Sequence, residues 1–189
     1  MLALLTVFAA VSLVIPALTR VMGRGVFLLA SLVPFSALAY SLYLAPGIIA
    51  GGVVSETYSW IPQLDLNFGV RLDVLSWALT LVVTGVGGLV LVYCARYFRA
   101  AGVALGRFAA ILLAFSGAMY GLIVSDDVYL LFVMWEATSV LSSLLIGHYS
   151  GRKESRGAAL QALLVTTLGG LLMLVGFVLL AVDAGTSSL

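Results

Sequence analysis

Six apolar runs divide the chain, at about 2–19, 26–45, 73–95, 108–124, 128–147 and 159–182, each ended by charges, proline or glycine. A helix of about 20 such residues crosses the hydrocarbon of a bilayer, so each run predicts a membrane span. Between 53 and 72 the period changes. Val54, Glu56, Tyr58 and Trp60 alternate with smaller residues, Pro62-Gln63 breaks the pattern, and Leu64, Leu66, Phe68, Val70 and Leu72 then alternate with Asp65, Asn67, Gly69 and Arg71. Period two around a proline predicts a small β-hairpin outside the membrane, its aromatics at headgroup level. The expected fold is thus one all-α polytopic membrane domain over 1–189. It has six transmembrane helices and a hairpin between the second and third.

Composition agrees with the pattern. The chain is 63% hydrophobic and 9% charged, with mean hydropathy +1.21, outside the range of soluble domains. One cysteine, Cys94, excludes an internal disulfide or a multi-cysteine metal site. No cofactor is implied. The basic residues stand singly or in small groups between apolar runs, so they point to no nucleic-acid partner.

Those basic residues do orient the chain. Eight of the nine, Arg20, Arg24, Arg96, Arg99, Arg107, Arg152, Lys153 and Arg156, fall in the connections after the first, third and fifth runs, and Arg71 alone lies on the other side. Positive residues favour the cytoplasm, which predicts those connections inside and both termini and the hairpin outside. No basic residue precedes the first run, so it is expected to be a retained span and not a cleaved signal. Glu56, Asp65, Asp73, Asp126, Asp127 and Asp183 then lie on or near the outer face.

Glu136 is different: it sits near the middle of the fifth run with no other charge in it. A charge at that depth costs about 2.5–3.5 kcal/mol on insertion scales. At about 100° per residue, Tyr129, Phe132, Glu136, Ser139 and Ser143 share one face, which is expected to point into protein. A proton or ion relay is one use of such a carboxylate, and a structural tie between helices is the other. Asp73, at the outer start of the third run, reads as a partner of Arg71, a contact to another subunit or an interfacial anchor. Asp126 and Asp127 suit either a cation-attracting vestibule or a cap on the fifth helix. His148, at the inner end of that helix, is a pH-responsive group or an ordinary interfacial histidine. The hydroxyls of Ser139 and Ser143, like Thr166 and Thr167 beside Gly169 and Gly170, serve a proton path or helix packing.

Several segments resemble one family. Phe68-Gly-Val-Arg-Leu-Asp-Val-Leu-Ser76, Leu122-Ile-Val-Ser-Asp-Asp-Val128, Phe132-Val-Met-Trp-Glu-Ala-Thr-Ser139 with Leu144-Leu-Ile-Gly147, and Gln161-Ala-Leu-Leu-Val-Thr-Thr-Leu-Gly-Gly170 are similar to the N-terminal part of the A-subunit of Mrp-type multisubunit Na+/H+ antiporters. The first two spans match only in kind, and Asp127 and Ala137 stand where the family often has Asn and Leu. The resemblance implies a partial antiporter-like repeat in a prokaryotic plasma membrane, with other Mrp subunits as partners. It also implies that Glu136 matches a midplane glutamate that faces a lysine on a seventh helix, carried by the rest of the subunit or by a separate chain, and that the ions moved are H+ and Na+.

Related alternatives are a proton-pumping subunit of complex I or of a membrane hydrogenase, and a scaffold inert in transport. Covalent catalysis is not expected, because Ser142 or Ser143 and His148 share no helix face.

Overall fold

The computed structural model describes residues 1–61, 66–98, 103–149 and 151–186, with side chains for all of these except 59–61, 66–68 and 103–104. Pro62, Gln63, Asp65 and Arg99 lie outside the described residues, as does the Trp60 side chain. The described residues form six α-helices and two strands: α1 Leu2–Met22, α2 Val26–Ile49, β1 Val54–Ile61, β2 Leu66–Leu72, α3 Val74–Tyr97, α4 Val103–Val124, α5 Val128–Ile146 and α6 Lys153–Ala184. A single 3-10 turn, Gly23–Gly25, separates α1 from α2. Among the described residues, five helical segments are long and apolar enough to cross a membrane, the first being the whole stretch Leu2–Ile49. The chain is a multi-pass membrane protein.

Neighbouring helices run antiparallel, as contacts at both ends show. Gly23, at φ 55°, takes a conformation that favours glycine and turns the chain back. The Trp77 indole N–H near the start of α3 donates to the Ser41 carbonyl late in α2 at 2.9 Å. At the opposite end, Phe27 of α2 stacks on Phe98 at 5.8 Å between centroids. Helix α1 lies against α4, with Phe8 on Tyr120 at 6.0 Å. Glycines permit that approach: a Cβ on Gly117 would stand 2.7 Å from the Phe8 Cβ, and one on Gly106 would meet Thr19. The core these contacts form includes Phe8, Phe27, Leu91, Leu113 and Tyr120.

The strands pair antiparallel, with Val54 opposite Leu72 and Tyr58 opposite Phe68. Glu56 on β1 accepts from the Met1 amino group at 2.7 Å, so the start of α1 lies at the hairpin end. The α4–α5 turn docks on the same end: Val70 and Ser125 form an isolated bridge, and the Asp126 N–H donates to the Gly69 carbonyl at 2.9 Å. Arg20, Arg24, Arg96, Arg107, Arg152, Lys153 and Arg156 stand in the end turns of the helices and the connections at the other end.

All the helices but α5 extend past the apolar runs, α1 and α3 by a turn or less at their ends and α4 at its start, where Val103 to Arg107 are helical and not loop. α2 continues through Pro46 to Ile49, because neighbouring helices can tolerate proline in a membrane helix. α6 begins at Lys153, inside what reads as a polar loop. Lys, Glu and Arg are good helix formers, and Glu154 sits in the first turn, where its charge complements the helix dipole.

Candidate functional site

Helix α5 is positioned from both ends. At its start Asp127 is the N-cap, its carboxylate accepting from the Tyr129 N–H at 2.9 Å and the Leu130 N–H at 3.0 Å. At its finish Gly147 abuts α6, where a Cβ would come 3.2 Å from the Ala159 Cβ, and the Ser155 hydroxyl donates to the Ile146 carbonyl at 2.7 Å. Fixing both ends fixes the register between α5 and α6.

That register sets Glu136 against Gly170. A Cβ at Gly170 would clash with Glu136 Oε1 and lie 3.2 Å from its Cδ. The Oε1 atom is buried and has no hydrogen-bond partner among the described residues. A buried polar atom without a partner costs about 1–3 kcal/mol, so a hydrogen-bond donor or a cation brought to this oxygen from elsewhere is favoured. The chain's one lysine, Lys153, is at the start of α6, away from the Glu136 level.

Along the same face Ser139 and Ser143 are buried, whereas Val133, Val140 and Leu144 are exposed. Both hydroxyls donate to their own helix, Ser139 to the Trp135 carbonyl at 3.2 Å and Ser143 to the Val140 carbonyl at 2.7 Å. Below Ser143 the face opens into a cleft of about 470 Å³ between α4, α5 and α6, lined among others by Arg107, His148, Arg156 and Leu160. Ser143 and His148 therefore share a cleft although they do not share a helix face. The Ser143 hydroxyl is not directed at the imidazole. His148 rests edge-on against Phe108 at 4.7 Å. Burial first, and the Arg107 charge second, hold its imidazole below the ordinary histidine range.

The acids at the hairpin end are separated by the fold into distinct roles. Asp73 is the N-cap of α3 in a capping box with Ser76: it accepts from the Ser76 N–H at 2.9 Å, and its own N–H donates to the Ser76 hydroxyl at 2.8 Å. The Ser76 N–H, then its hydroxyl, hold the Asp73 carboxyl below its usual range, with a smaller contribution from the Arg71 charge. Arg71 makes an ion pair with Asp126, at 3.7 Å. A guanidinium on β2 reaches the α4–α5 turn because the Val70–Ser125 bridge brings that turn alongside. Of the candidates, Glu136, Ser139 and Ser143 lie on one face with His148 below them, while Asp73, Asp126 and Asp127 cap or tie elements at the hairpin end. Gly170 went unrecognised as the partner of Glu136. The signal was only its place in the Thr166–Gly170 cluster.

Residues 60–108 match the family described as NADH-ubiquinone oxidoreductase (complex I), chain 5 N-terminus. Residues 125–189 match that described as NADH:quinone oxidoreductase/Mrp antiporter, transmembrane. The chain is thus a relative of the antiporter-like membrane subunits common to those two kinds of complex. More narrowly, it is similar to the N-terminal part of the A-subunit of Mrp-type Na+/H+ antiporters. It is 44% identical to the Na(+)/H(+) antiporter A-subunit of Alkalihalophilus pseudofirmus over 74% of this chain and 17% of that protein. It is 40% identical to a probable K(+)/H(+) antiporter A/B-subunit of Rhizobium meliloti over 77% of this chain and 14% of that one. A chain of the Mrp complex from Dietzia sp. DQ12-45-1b superposes with TM-score 0.85 at 30% identity, over 98% of this chain and 20% of that chain. The chain therefore spans about a fifth or less of these relatives.

Proposed function

We propose that this chain is the N-terminal portion of a cation/proton antiporter subunit, contributing Glu136 to the movement of protons or Na+ across a prokaryotic plasma membrane. The observation that carries the proposal is the buried, unpartnered Oε1 of Glu136 in the middle of a membrane-competent helix. Apolar surroundings penalise the charged carboxylate and a nearby cation favours it, so any motion that changes its company moves a proton on or off. The cation comes from outside these residues: a lysine on a seventh helix, in the rest of the subunit or in a separate chain. Other Mrp subunits complete the complex, and the protein acts as a transporter part and not as an enzyme. Its α1 to α6 each cross the bilayer, with the arginine-rich end cytoplasmic and both termini and the hairpin outside.

The test is Glu136→Gln and Glu136→Ala in the assembled complex, read as Na+/H+ antiport in everted membrane vesicles. Antiport is lost while the amounts of all subunits stay normal. Transport and assembly both at wild-type level overturn the proposal, and loss of assembly with coupling retained in what does assemble makes Glu136 a structural tie. A redox-driven relative is the second reading, favoured by the complex I description matched by residues 60–108. Copurification with quinone- or iron-sulfur-binding subunits identifies it.

A further inference from the structure

We propose that Gly170 is a positioning residue for Glu136: the missing side chain at this one place on α6 lets the carboxylate lie against the α6 backbone. The proposal rests on the reading of Glu136 as the translocating carboxylate. Gly170 is the one buried residue among those described in α6. Of the other glycines of this helix, Gly157, Gly169 and Gly176 have nothing within 4 Å of where a Cβ would stand. At Gly170 a Cβ would clash with Glu136 Oε1, and Trp135 Cδ1 would lie 3.5 Å from it.

The colliding atom decides what kind of role this is. Oε1 is the far end of a flexible side chain, held there by no hydrogen bond, so a methyl group at 170 is relieved by swinging the carboxylate away, with the helices left in place. A glycine needed only for close helix approach would meet backbone or a rigid ring, as Gly88 meets Phe35 and Gly117 meets Phe8. Gly170 meets the acid itself. Substitution there changes where the charge sits, and the fold pays little.

Gly170→Ala and, as control, Gly169→Ala in the complete complex test this. Three quantities are read: the antiport rate with its pH profile, the amount of assembled complex, and the rate at which a hydrophobic carbodiimide modifies Glu136, followed by mass spectrometry. Gly170→Ala lowers antiport by about 10- to 100-fold, the scale on which an ångström of misplacement acts. It also displaces the pH profile and changes the modification rate severalfold, at normal assembly, whereas Gly169→Ala does none of these. If Gly170→Ala reduces assembly, adding Glu136→Asp, which shortens the side chain, restores it. Gly170→Ala with wild-type antiport, profile and modification rate overturns the inference, as does failure of that restoration or a Gly169→Ala variant that behaves the same way. Full activity of Glu136→Gln refutes the transport role alone, because the modification rate still reports whether residue 170 places the carboxylate.

Discussion

Replacing Asp127 separates two uses of an acid at the mouth of α5. Asp127 is 5% exposed, and its carboxylate accepts from two backbone N–H groups, those of Tyr129 and Leu130, which have no partner within the helix. Removing an N-cap costs about 0.5–2 kcal/mol. Burial puts Asp127→Ala toward the top of that range, about 1.5–2 kcal/mol, because water cannot readily take over the two donors. Asn keeps the accepting oxygen and costs a few tenths of a kcal/mol at most. At about 2–4 °C per kcal/mol for a domain of this size, thermal unfolding of the detergent-solubilised protein separates the variants. Asp127→Ala melts several degrees early, while Asp127→Asn melts with the wild type and transports normally. Equal losses of antiport in the two variants, with melting unchanged, refute the capping account and make the charge itself the functional element.

Asp73→Ala removes a capping box and destabilises by about 1 kcal/mol, Ser76→Ala by less; both are read by the same melt. Because the folded Asp73 carboxyl titrates below its usual range, its contribution is present above the unfolded value near 3.9 and is lost as pH falls through the folded one. His148 is the chain's one histidine, so selective labelling gives a single imidazole resonance. It titrates below about 6.5, and Arg107→Gln moves it upward. Its stabilising effect holds at neutral pH and is lost on acidification, because the folded imidazole disfavours the proton. Gly117→Leu drives a side chain into Phe8 and costs about 1–3 kcal/mol or more, seen as lost assembly. Single cysteines replacing Ser155 and Ser55 react with an impermeant reagent from the cytoplasmic and the outer side respectively, and the reverse pattern inverts the proposed topology.

Much of the helical layout was legible because apolar run length alone reports a membrane helix, and the change of period after Gly52 marked where helix gave way to strand. The shared face of Glu136, Ser139 and Ser143 followed from helical spacing within one element. What could not be read was register between elements. That Gly170, and not Gly169, meets Glu136 depends on how α5 and α6 slide along each other, which Gly147, Ala159 and the Ser155–Ile146 bond fix. In the same way, Arg71 finds Asp126 across the fold because the α4–α5 turn docks on β2. Local chemistry also misled at 153–156, where a charged run read as loop and forms the first turn of α6.

The most direct measurement is of the proton itself. Infrared difference spectra of the reconstituted complex, recorded between low and high Na+ at fixed pH, should contain a protonated-carboxyl band that disappears in Glu136→Gln while the remaining bands persist. A spectrum unchanged by that substitution means that Glu136 carries no exchanging proton, and contradicts the account.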